Sequence, residues 1–332
     1  MKSKNIIVHS PLDMHLHLRE GEMLNLVAPL SSESFAGAMI MPNLNEPVIT
    51  EELLAKYRED VTNALVHPFT PYMTLFFRDD YTYSFLKSIK DKILAIKLYP
   101  AGITTNSEHG VSDINDIMEV LEYMSNLGIV LSVHGEANGF VLDRESNFMP
   151  IYEKIASTFP DLKIVMEHIT TERALNILEQ YDNLYATVTL HHLMITLDDL
   201  AGGMLHPHLF CKPIAKRPED RDALLRAALD ANPKLMFGSD SAPHPKSEKE
   251  SCGCAAGIFT APIALQALAT LFERHHSLDN LQAFVSDNAR RIYEIEPEPK
   301  IITLKKEKFI VPERYGEVIP MFAGESLEWS IA

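Results

Sequence analysis

The sequence predicts a single (β/α)8 TIM barrel of the α/β class, carrying a small C-terminal extension. Three observations predict it. Eight short apolar runs alternate with segments of amphipathic, helical pattern. Several of those runs close on a residue able to bind a metal. The chain has 332 residues, a length that suits one such barrel with additions.

The expected strands lie at 8–18, 36–43, 70–77, 94–99, 129–134, 163–168, 185–190 and 235–240. Helical patterns fall between them at 51–65, 80–91, 113–127, 150–159, 171–181 and 218–231, and another follows at 261–275. The connection 20–35 has the weakest helical pattern. Pro42, Pro100, Pro218 and Pro262 punctuate the boundaries. A doubly wound open sheet is the structural alternative, but no Gly-rich dinucleotide or phosphate loop serves it. Residues 278–332 are expected to pack on the barrel as an appendage, so that 1–332 form one domain.

Bulk composition narrows the function. Hydrophobic residues make up 46% of the chain and charged residues 23%, which suits a large core and not a disordered chain. A net charge of −16 disfavours a nucleic-acid partner, because phosphate binding needs a basic face. An anionic small substrate would need local Arg or metal charge to capture it. Cys211, Cys252 and Cys254 suggest no disulfide framework, so a reducing cytoplasm is expected. The first residues contain no long apolar stretch of a signal peptide, and no run suggests a membrane helix.

The chemistry concentrates at the strand ends. In the run Asp13–Arg19, His15 and His17 are two apart and face the same way along a strand. Lys97, His134, His168 and Asp240 stand at the ends of four further runs. In a barrel those ends converge on one face, where active sites sit. Each residue alone reads as a satisfied polar core group. Four His, one Asp and one Lys together need a metal. A protonated Lys97 would repel that metal, and the conflict disappears if its amine has reacted with CO2 to form a carbamate that bridges two ions.

The set His15-x-His17, Lys97, His134, His168 and Asp240 resembles the binuclear amidohydrolase pattern. The longer motifs DMHLHLR (13–19), MPN (41–43), KLYPAGITTNSEHGV (97–111), VHGE (133–136), EHIT (167–170), HPHLFCKPI (206–214), GSDSAPH (238–244) and ESCGCAAG (250–257) closely resemble the short, single-function bacterial dihydroorotases, as does the ending FAGESLEWS. That family reversibly closes N-carbamoyl-L-aspartate into dihydroorotate for pyrimidine synthesis. The resemblance implies two zinc ions per subunit, one on His15, His17 and Asp240 and the other on His134 and His168. Carboxylated Lys97 (N6-carboxylysine) and a hydroxide would bridge them, and Asp240 would move the proton.

The resemblance further implies that Arg19, Asn43 and His244 clamp the substrate carboxylate, that backbone at Ala255 meets the ring, and that Thr104 and Thr105 reach the substrate from a mobile loop. It also implies a homodimer. Lys212 departs from the family, where an apolar residue is expected. Cys252-x-Cys254 reads as a loop beside the site, and His191, His192, His206, His208, His275 and His276 are not taken as ligands. Two readings compete. A hydantoinase or dihydropyrimidinase would share the metals but need no carboxylate clamp. A catalytically dead barrel acting as an assembly partner would lack metal ligands, and here none is missing.

Overall fold

The computed structural model describes residues 5–103, 110–111 and 113–332. The first strand, β1 (Asn5–His9), lies outside the barrel. Eight parallel strands form the barrel wall in sequence order: β2 (Leu12–Leu16), β3 (Gly37–Ile40), β4 (Thr70–Phe76), β5 (Ala95–Leu98), β6 (Val130–Val133), β7 (Ile164–Met166), β8 (Leu184–Val188) and β9 (Leu235–Phe237). The ring closes just past β9. There Leu16 bridges Ser241, and the Asp240 and His17 amides donate to His15 O at 2.8 Å and Ser241 O at 3.2 Å. Closure rules out the doubly wound alternative.

The expected strand 8–18 is two strands. Ser10 takes a left-handed φ of 43° and Pro11 has no N–H to offer a ladder, so the chain turns there. β1 instead pairs antiparallel with β10 (Ile301–Lys305) of the C-terminal region. Farther along that region Trp329 is fully buried, its indole N–H donating to Glu273 at 3.0 Å.

Two helices are more regular or longer than their patterns suggest. The segment 20–35 forms a helix over Gly21–Ser34 that contains Pro29, and the one expected at 150–159 begins at Arg144 and contains Pro150. An interior proline removes a helix hydrogen bond. Burial of Phe148, Met149, Tyr152 and Ile155 favours the longer helix. The helix expected from 113 starts as a 3-10 turn, Ile114–Ile117, with the Asp113 carboxylate accepting from Asn115 N–H, and becomes α-helical at Met118. Among the described residues no helix is long and apolar enough to cross a membrane.

Strand alternation builds the site. Leu12, Met14, Met39, Ala95, Val130, Val165 and Met236 form one apolar layer, capped by Ala289, Ile292 and Tyr293. Two residues further along the same strand faces stand Lys97, Ser132, Glu167 and Gly238. An apolar floor therefore carries a polar layer at the C-terminal ends. Gly238 leaves that layer open: a Cβ there would lie 2.9 Å from His15 Cβ and 3.0 Å from Thr187 Cβ.

Candidate metal centre and substrate cleft

The six strand-end residues meet at one end of the barrel, and all six are buried. His15, His17 and Asp240 bring donor atoms within 4.8 Å of one another. His17 Nε2 lies 3.1 Å and His15 Nε2 3.6 Å from Asp240 Oδ1. A tetrahedral ion with ligands near 2.0–2.1 Å sets neighbouring donors about 3.3 Å apart. His134 Nδ1 and His168 Nε2 lie 3.1 Å apart, so they too aim at one point. His168 and Asp240 follow their strands with left-handed φ values of 40° and 44°, and Arg19 has 60°. Such strained backbone at chemically active positions persists where the surroundings enforce it.

A second layer, absent from the sequence expectations as a set of roles, orients these donors. Glu167 accepts from Ser132 Oγ and Thr187 Oγ1, each at 2.6 Å, and lies 2.7 Å from His15 Nδ1, which leaves His15 Nε2 free to face Asp240. Glu136 lies 2.9 Å from His134 Nε2 and leaves Nδ1 for the centre. Asp13 accepts from the Ser239 and His15 amides at 2.7 and 3.2 Å, which ties β2 to β9 across the closure. The sequence signal for Glu167 is a carboxylate at the apolar end of a strand, since a buried charge needs a partner; Glu136, three residues past β6, carries no such signal.

Electrostatics favour ligand-ready forms. Burial first, then neighbouring cations, holds the imidazoles of His17 and His168 well below the usual range; burial also lowers His15 despite the opposing charge of Glu167. Neutral imidazoles are what a metal takes. Burial raises the Asp240 carboxyl, opposed by His15, His134, His192 and Lys97. Burial pushes Lys97 down to about 8, against the pull of Glu167 and Asp240. Its Nζ is fully enclosed and has no hydrogen-bond partner.

Beside the centre opens a cleft lined by His17, Arg19, Asn43, Lys212, Asp240, Ala242, Ala256 and Gly257. It joins the donors to the expected clamp. Arg19 Nη2 lies 3.1 Å from His244 Nε2 and its Nε donates to Pro243 O at 3.2 Å. Asn43 is buried and hydrogen-bonded to His17. Ala255 sits behind the cleft wall, its amide donating to Glu248 O, while Ala256 and Gly257 form the wall. Lys212 donates from Nζ to Ile103 O at 3.0 Å. Thr104 and Thr105 lie outside the described residues. His208 pairs with Glu250 at 3.1 Å away from the donors, and Cys252 is exposed.

The amidohydrolase family model matches residues 90–295. A dihydroorotase of Helicobacter acinonychis is 46% identical, with 98% of each chain covered. The crystal structure of a dihydroorotase from Campylobacter jejuni superposes with a TM-score of 0.95 at 53% identity, covering 100% of this chain and 98% of that one. The Saccharomyces cerevisiae dihydroorotase, solved in complex with 5-fluoroorotic acid, gives 0.93 at 34% identity, covering 99% and 98%.

Proposed function

This chain belongs to the dihydroorotase family of amidohydrolases, and from that premise we propose how its own residues hold the metals and the substrate. The activity is the reversible closure of N-carbamoyl-L-aspartate to dihydroorotate with loss of water, a step of pyrimidine synthesis and the hydrolysis of a cyclic amide in reverse. The family is metal-dependent, and His15, His17 and Asp240 form a donor group suited to an ion.

The orphaned amine of Lys97 carries the two-zinc reading. A buried amine with no hydrogen-bond partner, 4.9 Å from the centre of the Tyr99 ring and beside five candidate donor side chains, is costly as it stands. As a carbamate it would offer one oxygen to each of two ions. His15, His17 and Asp240 would hold one zinc, His134 and His168 the other, and carboxylated Lys97 would join them. When bound, the pair of ions supplies a water of near-neutral pKa and polarises the ring carbonyl.

Asp240 then moves the proton. Its carboxylate takes the proton of the attacking water and passes it to the ring nitrogen as the C–N bond breaks, and in ring closure it returns it. Arg19 supplies the charge for the substrate carboxylate, because its planar fork matches two carboxylate oxygens. Asn43 and His244 complete the clamp. The wall at Ala256 and Gly257, next to Ala255, bounds the ring. Thr104 and Thr105 enter as substrate contacts on the family resemblance alone. The clamp favours this substrate over a hydantoin, which has no carboxylate for Arg19. A homodimer in the cytoplasm completes the reading, and the three free thiols support the compartment.

The test is metal analysis combined with turnover of dihydroorotate and of hydantoin. Two zinc ions per chain, a carbamate carbon signal after labelling with isotopic bicarbonate, and preference for dihydroorotate are expected. One zinc with an unmodified Lys97 in the fully active enzyme would refute the bridge.

A further inference from the structure

We propose that His191, His192 and Cys211 form a third cation site, for a thiophilic divalent ion, that uses none of the catalytic donors. The two histidines follow β8 and the cysteine comes from the loop before Lys212, so no short sequence motif joins them. All three are buried, and their donor atoms lie within 4.8 Å of one another. The same closeness marks His15, His17 and Asp240 in the catalytic set.

Two features point to an ion. Both ring nitrogens of His191 are buried and have no hydrogen-bond partner. Buried polar atoms are almost always paired, so an imidazole with neither nitrogen engaged calls for a ligand. Further, Cys211 Sγ lies 3.7 Å from His192 Nε2. Sulfur and nitrogen bound tetrahedrally to zinc at 2.3 and 2.0–2.1 Å would stand about 3.6 Å apart. Pro213 O accepts from both the same nitrogen, at 3.0 Å, and the same sulfur, at 3.2 Å, and so holds the two on one point. His192 Nε2–H donates to Pro213 O while Nδ1 accepts from Thr189 Oγ1 at 2.9 Å, so binding through Nε2 moves the ring proton to Nδ1, where Thr189 Oγ1 turns to accept it.

The surrounding charge selects the ion. The ammonium groups of Lys216 and Lys249 act on these histidines and oppose a hard cation bound by neutral ligands alone. An ion that takes Cys211 as thiolate offsets that repulsion. Binding replaces the S–H proton, which leaves to solvent, with a metal–sulfur bond, while both imidazoles bind neutral. One proton is released per ion, so apparent affinity rises about tenfold per pH unit while the free thiol is protonated. Lys212 adjoins Cys211 and lines the cleft, so an ion here also braces the cleft wall.

The test uses the full chain with Cys252→Ser and Cys254→Ser, its catalytic centre loaded with zinc, titrated with Co2+. Binding of one further ion with a thiolate-to-cobalt charge-transfer band in the near ultraviolet is expected, since the catalytic donors include no sulfur. The band should vanish in Cys211→Ser and weaken at least tenfold in affinity in His191→Phe, with catalytic zinc retained in both as the control for folding. His191→Phe also keeps the ring volume while removing both unpaired nitrogens. Absence of the band at saturating Co2+, its persistence in Cys211→Ser, or unchanged affinity in His191→Phe overturns the site.

Discussion

Glu167 offers the most informative perturbation, because it touches His15 but neither substrate nor, in the proposed centre, metal. It receives two hydroxyl hydrogen bonds and faces His15 Nδ1 at 2.7 Å. Burial raises its carboxyl, but the charge and hydrogen bond of His15, with Lys97 and Ser132, outweigh that and hold it below the usual range. It is therefore ionised beside a neutral imidazole whose Nδ1–H it fixes. Glu167→Ala would strand three buried polar groups at about 1–3 kcal/mol each, enough to threaten folding. Glu167→Gln is the cleaner change. It keeps the shape and one strong acceptor, and removes the charge that strengthens His15 as a ligand. Loss of such an orienting partner costs about 10–100-fold in metal affinity or activity, or about 1.4–2.7 kcal/mol. Competition with a zinc chelator should show that loss for the ion on His15 and His17, and kcat/KM for dihydroorotate should fall alongside. Thermal unfolding of the metal-free protein should change far less than for Glu167→Ala. If Glu167→Gln binds zinc and turns over within twofold of the parent, Glu167 is a structural group and the orienting role is wrong.

Other expectations follow from the same geometry. Lys97→Ala should lose much of its metal and nearly all activity, and Lys97→Arg should do no better because a guanidinium cannot form the carbamate; metal content and turnover close to the parent in either would remove the bridge. Arg19→Met should keep its metal but lose about 2–5 kcal/mol of transition-state binding, measured as kcat/KM, and unimpaired turnover would sink the clamp. In the metal-free protein Lys97 titrates near 8 when folded against 10.5 when exposed, so between those values the unfolded chain binds more protons and stability should rise with pH, by about 3 kcal/mol in total. Urea unfolding near pH 7.5 and pH 10 measures this, and an equally steep rise in Lys97→Met would show that other groups cause it. Ring closure consumes one proton, so the ratio of dihydroorotate to carbamoyl aspartate at equilibrium should rise about tenfold per unit fall in pH while both carboxylates are ionised; a ratio indifferent to pH would mean a different substrate.

Much of this molecule is legible locally. The eight barrel strands and the donors at their ends come from short apolar runs closing on polar residues, a pattern that depends only on neighbours in the chain. His15 and His17 share a face by strand alternation alone, and the oddity of Lys97 needs no coordinates to be noticed. What tertiary structure decided is how distant charges pair. The partner of His15 lies 152 positions away at Glu167, and Ser239 reaches Asp13 across 226. The break at Ser10 and Pro11, which hands β1 to a strand some 290 residues later, has no visible motive until the barrel closes without it. In sequence His191 and His192 can line the barrel mouth without reading as ligands, and only the return of the chain at Cys211 sets a thiol beside them. The reason is physical: alternation and capping act over a few residues, whereas a buried charge is satisfied by whatever the closed barrel brings within about 3 Å, and closure is a property of the whole chain.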